Sequence, residues 1–276
     1  MIPANVPLYL NYTGELKLIK WIISVNIKNL ISVMVFSTTA LLGGCKNMDI
    51  SKLHTSAASA FKAATLSDAE TKAMADDACK QMDSRSTIAT PGDRYGKRLA
   101  KITEDLGHNI DGTPVTYKVY LTRDVNAWAM ANGCVRVYSG LMDLMTDNEI
   151  EGVLGHELGH VSLGHSRKAM QTAYATVAAR DAIAASGGTA ARLTQSQLGD
   201  VGEALINSTF SRSQERDADN FSFDLLTRRN INPQGLVSGF EKLAKLSGGE
   251  EASLFSSHPP SDERAQNIRD RINAKK

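Results

Sequence analysis

Two histidines four residues apart bracket a glutamate in Gly155-His156-Glu157-Leu158-Gly159-His160, and that spacing constrains the chain more than any other feature. On a helix of 3.6 residues per turn, His156 and His160 project from nearly one face, one turn apart, so both imidazoles can reach one metal ion. Glu157 lies about 100° round the same turn, beside such an ion without being its ligand. Zinc lowers the pKa of a water it holds to about 7, and a neighbouring carboxylate can take that proton as the water attacks a carbonyl. The bland alternative is a surface helix with two incidental histidines.

A tetrahedral zinc needs one more protein ligand. His165 stands nine residues after His156. On an unbroken helix it points about 180° away, so it is expected on the outer face. A His at the tenth following position and a chain-bending Gly at the seventh would suit a third-histidine site, but those positions hold Ser166 and Leu163. The better candidate lies in Ser211-Arg212-Ser213-Gln214-Glu215-Arg216-Asp217-Ala218-Asp219. Glu215 can complete a His-His-Glu set for one Zn2+ per chain. Asp219, a helical turn further on, can bind the second nitrogen of a metal-binding His and fix its orientation and tautomer.

The N-terminus reads as a leader. Lys17, Lys20 and Lys28 precede an apolar run from Leu30 to Leu42, followed by Gly43-Gly44-Cys45. A positive segment, a short apolar core and small residues before a cut describe a secretory signal over residues 1–44. The run is too short, and too soon followed by polar sequence, for a membrane span. A start at Val25 would give the leader an ordinary length. Leu42-Gly43-Gly44-Cys45 resembles a bacterial lipobox, which would make Cys45 the lipid-bearing first residue; an incidental Cys or a helix anchor is the alternative. Residues 45–66, rich in Ser, Ala and Lys, read as a tether, and residues 67–276 as the domain. Lys46 rather than Asp after Cys45 favours an outer-membrane lipoprotein facing the periplasm. In an oxidising compartment Cys79 and Cys134 are expected to form a disulfide, with two buried thiols as the alternative. Loss of Lys17, Lys20, Lys28 and Glu15 with the leader takes the net charge from +1 to −1. No basic block suggests nucleic acid.

Along the domain, capping boxes open helices at Ser67 and at Thr146, and a second helix is expected over about Arg94 to Leu106. His108 is expected in a solvent-exposed loop. Val115 to Leu121 alternates like a half-buried strand, Asn126 to Ala129 is extended, and Asn132-Gly133 turns the chain into Cys134 to Tyr138. These segments predict a small antiparallel sheet beside the His-Glu-x-x-His helix. Glu149 and Glu151 are read as capping and solvated groups. Helical sequence is expected to continue to about Ala185, then over Gln195 to Arg229, Pro233 to Leu246 and from Ser261 onward. The fold class is helix-dominated α+β.

These motifs resemble a family. His156-Glu157-x-x-His160, Glu215-x-x-Ala218-Asp219, Asn126-Ala127-Trp128-Ala129, the stretch Val137 to Met142, and His258-Pro259-Pro260 with Arg264 are similar to gluzincin peptidases related to HtpX, BepA and the CAAX prenyl proteases. Within them, the chain looks like the lipoprotein branch without multiple membrane spans. The resemblance implies a zincin-type endopeptidase with His156, His160 and Glu215 as zinc ligands and Glu157 as general base. It makes Asp219 the partner of His156, puts Asn126 and its strand under the substrate, and places His258 near the developing oxyanion. Trp128 stands where Phe is usual, which would alter a substrate subsite. Read from the residues alone, Asn126 to Ala129 can add a strand to a peptide or be a plain core strand. His258, in a rigid nonhelical loop, is either an oxyanion donor or merely exposed. The partners implied are unfolded or misassembled envelope proteins as substrates, the membrane through lipid, and a protease or chaperone of the outer membrane. The rival expectation is an assembly chaperone with rare or latent proteolysis.

Overall fold

A computed structural model describes residues 65–180, 193–246, 254–258 and 262–275. The expected leader, Cys45, most of the expected tether and the Pro259-Pro260 pair lie outside the described residues.

The first helix, α1 (Asp68–Ser84), opens on the expected capping box, with Ser67 and Glu70 satisfying each other's backbone amides. Helix α2 (Arg94–Leu106) starts at Asp93, whose carboxylate accepts from the amides of Tyr95 and Gly96. A short hairpin, β1 (Asn109–Ile110) and β2 (Thr113–Pro114), leaves His108 exposed as expected. Strands β3 (Thr116–Tyr120), β4 (Ala127–Ala129) and β5 (Cys134–Tyr138) form a sheet in the order β3-β5-β4.

That sheet is mixed, which corrects the expectation of an antiparallel one. The Asn132-Gly133 turn, with Gly133 at φ +81°, does pair β4 antiparallel to β5. The chain from β3 first crosses to the far edge, however, so β5 returns between the other two and runs parallel to β3. The alternation of strand side chains divides the core. Val119, Ala127, Ala129, Val135 and Val137 face one apolar cluster, while Tyr120, Trp128 and Cys134 face another. Cys79 of α1 and Cys134 of β5 are joined by a disulfide, as expected.

After α3 (Ser139–Leu144), the central helix α4 (Asp147–Ser162) begins with a Thr146–Glu149 capping box. Every residue from Glu149 to His160 is buried, so this helix has no solvated face, as befits the middle of a domain. Glu149 caps as expected but is not solvated. It is 3% exposed, and Lys242 Nζ lies 2.6 Å from its Oε2. Glu151 is also buried. The following helices are α5 (His165–Arg180), α6 (Gln195–Ile206), α7 (Arg212–Arg228), α8 (Gln234–Leu246), the single turn α9 (Leu254–Ser257) and α10 (Asp262–Ala274).

Two helical runs expected to be continuous are broken. Gly164, at φ +73°, separates α4 from α5, a helix-terminating conformation that only glycine adopts cheaply. Residues 207–211 separate α6 from α7, because Ser211 and Gln214 form a new capping box. Helix α4 packs on α7, α8 and β4. Its glycines permit that approach: a Cβ on Gly152 would meet the Leu236 backbone at 2.8 Å, one on Gly155 would meet Ser222 Oγ at 2.5 Å, and one on Gly159 would meet the Ala218 backbone at 3.0 Å. No helix among the described residues is long and apolar enough to cross a membrane.

Candidate metal centre

Close packing of α4 on α7 brings two i, i+4 pairs face to face: His156 and His160 on one helix, Glu215 and Asp219 on the other. All four are at most 3% exposed. His156 Nε2 and His160 Nε2 are 3.0 Å apart, and Glu215 Oε1 lies 3.3 Å from His160 Nε2. His258, at the end of α9, places its Nδ1 3.2 Å from His156 Nε2 and 3.0 Å from Glu215 Oε1. Among the described residues, His156, His160, Glu215 and His258 each offer a donor atom within 4.8 Å of the others, a group able to hold a metal ion.

The donor set fits zinc. Asp219 Oδ1 is 2.7 Å from His156 Nδ1 and, as a carboxylate, accepts its proton, so His156 Nε2 is left as a lone pair. That lone pair faces two further imidazole nitrogens and a carboxylate oxygen. Zinc bonds of about 2.0–2.1 Å to nitrogen and oxygen put ligand atoms of a tetrahedron roughly 3.3 Å apart, close to the spacings present.

Arg264, on α10, supports the same corner. Its Nε and Nη2 donate to the two oxygens of Asp219, each at 2.7 Å, and its Nη1 is 2.5 Å from Glu215 Oε2. Its guanidinium also lies over the Phe240 ring at 4.5 Å. Burial pushes both carboxyls up. Arg264 and His156 outweigh this at Asp219, while His156, His160 and His258 outweigh it at Glu215, so both lie below the usual carboxylate range. Burial pushes His160 well below the usual imidazole value. Burial works the other way on Glu157, raising its carboxyl. Glu157 is 2% exposed, its Oε1 lacks a hydrogen-bond partner, and His258 Nε2 is 3.5 Å from it. A small, largely apolar cavity bounded by Val153, Phe240, Leu243 and Leu254 lies beside it. Burial lowers His258, but Glu157 and Glu215 facing it outweigh this and raise it.

The structure thus brings Glu157, His258 and Asp219 to the three expected donors. His258 is buried at the end of a helical turn, its amide donating to Leu254 O at 2.9 Å, rather than exposed in a nonhelical loop. Strand β4 is an edge strand hydrogen-bonded to β5 alone among the described residues, and it packs on α4. Asn126 precedes it, 2% exposed, with Oδ1 unpartnered. Trp128, 4% exposed, packs edge-on against Tyr120 in the cluster around the disulfide. Its ring therefore packs in the core, because the pleat sends it to the sheet face away from α4.

Two neighbours of the centre escaped the sequence reading. His165 is not on the outer face, since the break at Gly164 returns its Nδ1 to within 3.1 Å of His160 Nδ1. Phe210 stacks on the His160 ring with centroids 3.9 Å apart. The Gly after Leu163 and the Ser211–Gln214 capping pattern were the available signals for both.

Two helical turns presenting His-His and Glu-Asp, with a second buried glutamate beside the donors, define a metallopeptidase centre. The profile of Peptidase family M48 matches residues 94–272, and the chain belongs to that family and is a metalloprotease. It is 61% identical over 241 residues to "Metalloprotease YcaL" of Escherichia coli strain K12, covering 86% of this chain and 95% of that one. It is 56% identical over 242 residues to "Metalloprotease LoiP" of the same strain, covering 88% and 96%. A more distant relative, "Beta-barrel assembly-enhancing protease" of Yersinia pestis, is 27% identical over 232 residues, covering 77% of this chain and 46% of that one.

Proposed function

We propose that the chain is a zinc-dependent endopeptidase in which His156, His160 and Glu215 hold one zinc ion and Glu157 is the general base. The observation that carries this is the convergence of those three donors beside a buried carboxylate with no hydrogen-bond partner on Oε1. Zinc, when bound, supplies Lewis-acid polarisation of the scissile carbonyl and acidifies water. Glu157 takes the proton of the attacking water and delivers it to the leaving amine. Its upward shift suits a group that must serve as both base and acid near neutral pH. Asp219, backed by Arg264, fixes the His156 tautomer. The β4 edge, with Asn126, aligns substrate main chain by strand addition.

His258 supports two roles. Close to Glu157 and the donors, it can donate to the developing oxyanion, an effect of a few kcal/mol. The second role is favoured by its Nδ1 sitting with the other donors. As a fourth donor it closes the corner that hydrolysis needs open, leaving a latent enzyme until it withdraws. Zinc content and cleavage of casein by His258→Ala separate them. Lower turnover at unchanged zinc supports the donor role, and higher turnover supports closure.

The setting proposed is the periplasmic face of the outer membrane, with acylated Cys45 as the anchor and unfolded or misassembled envelope proteins as substrates. The leader and lipobox-like sequence support it, as does a relative whose name ties it to β-barrel assembly. Labelling with an alkyne fatty acid followed by membrane fractionation tests it: label lost in Cys45→Ala supports the anchor, and equal label in both rejects it. Comparing Glu157→Gln with wild type for rescue of barrel assembly separates proteolysis from chaperoning.

A further inference from the structure

Helix α4 ends at Ser162, two residues after His160, and the positive φ of Gly164 starts α5 in a new direction. The first residue of α5, His165, is thereby returned to the centre. Its Nδ1 lies 3.1 Å from His160 Nδ1, and the two rings meet at 61° with centroids 5.1 Å apart.

His160 meets the donor group with its other nitrogen. Nε2 is the atom 3.0 Å from His156 Nε2 and 3.3 Å from Glu215 Oε1. A ligating nitrogen must offer a lone pair, so in a zinc-loaded centre the His160 proton resides on Nδ1. The ring is 1% exposed, and a buried N–H of that kind requires an acceptor. Among the described residues, the partner within reach of Nδ1 is His165 Nδ1. One ring face is taken by Phe210, stacked at 28°, so Phe210 limits tilt without supplying an acceptor.

We propose that His165 is a positioning residue for the metal centre: its Nδ1 accepts the Nδ1 proton of His160 and so fixes the tautomer and angle with which His160 binds zinc. His165 then carries its own proton on Nε2. The two metal-binding imidazoles are held by different chemistry. His156 leans on a carboxylate gripped by Arg264, and His160 leans on a neutral imidazole. Charge-assisted hydrogen bonds are roughly twice as strong as neutral ones, so removing the His165 acceptor costs less affinity than removing Asp219.

This inference rests on the zinc reading above. The test compares full-length wild type, His165→Phe and His165→Gln, purified in detergent, by zinc affinity in chelator competition, the visible spectrum with cobalt in place of zinc, and the melting temperature of the metal-free protein. His165→Phe is expected to weaken zinc about tenfold, at the lower end of what such supporting residues are worth, and to shift the cobalt bands. His165→Gln, whose amide oxygen can accept the same proton, is expected to recover most of that affinity. Zinc affinity and cobalt bands in His165→Phe matching wild type would overturn the proposal, as would equal losses in the Phe and Gln variants. A wild type that does not bind zinc would overturn the zinc reading and this proposal together, whereas a zinc-binding wild type with an unaltered Phe variant overturns the His165 role alone.

Discussion

Asp219 Oδ1 lies 2.7 Å from His156 Nδ1, and Arg264 holds the same carboxylate through two further hydrogen bonds. Three helices meet in that arrangement, because His156 is on α4, Asp219 on α7 and Arg264 on α10. A carboxylate placed so fixes which imidazole nitrogen faces the metal.

Replacing Asp219 with Ala is therefore expected to lower zinc affinity by about 10- to 100-fold. Asp219→Asn keeps an acceptor oxygen and should lose less. Chelator competition on the two variants checks this, and wild-type affinity in both would remove Asp219 from the account.

The glycines of α4 give an inverted expectation. Gly to Ala within a helix usually gains about 1 kcal/mol. At Gly152 an added Cβ meets the Leu236 backbone at 2.8 Å, and at Gly159 the Ala218 backbone at 3.0 Å. Each Ala variant is expected to lose about 1–3 kcal/mol as neighbouring helices are forced apart. Urea unfolding measures it; a stabilised Gly152→Ala would mean that α4 and α8 do not pack so closely.

Away from this centre, Asp83 of α1 ties down the sheet residues Lys118 and Arg136, a contact sensitive to acid. Burial raises its carboxyl, but Arg136 and Lys118 outweigh this and hold it at about 2, below its ordinary 3.8. A depressed carboxyl stabilises the fold above its unfolded value and loses that contribution as pH falls through the folded one. Wild type should therefore lose stability relative to Asp83→Asn between about pH 4 and pH 2. At pH 7 the variant should be weaker by roughly 3 kcal/mol, because Arg136, 2% exposed, is left without its counter-charge. Parallel stability curves for the two proteins across that window would contradict the pairing.

The disulfide joins residues 55 apart in sequence. Replacing Cys79 and Cys134 together with Ala is expected to cost about 2–4 kcal/mol. Calorimetry of the variant, beside thiol counting on the denatured wild type, checks both the bond and its worth.

The centre was legible because its chemistry is written in short helical spacings. His156 and His160, like Glu215 and Asp219, must each share a helix face whatever surrounds them, and Glu157 follows from the same turn. Helix starts at Ser67 and Thr146 were equally plain, since a capping box is local. What escaped depends on contacts distant in sequence. Nothing local says that β5 returns between β3 and β4, so the parallel pair was missed. Burial of Glu149 depends on α8 lying over α4, that of Glu151 depends on α2 packing on the same helix, and the inward position of Trp128 depends on the helices beyond the sheet. His165 differs in kind: the helical pattern of the sequence runs on past Gly164, although a glycine there can end a helix.

One ion held by His156, His160 and Glu215 is expected to work with Glu157 as base. The most direct measurement is zinc content and casein cleavage, side by side, for purified wild type and Glu157→Gln. Both proteins are expected to carry one zinc per chain, with chelator-sensitive cleavage in wild type and cleavage in the variant reduced by about 10²–10⁴-fold. Absence of zinc from wild type, or near-normal cleavage by the variant, would contradict it.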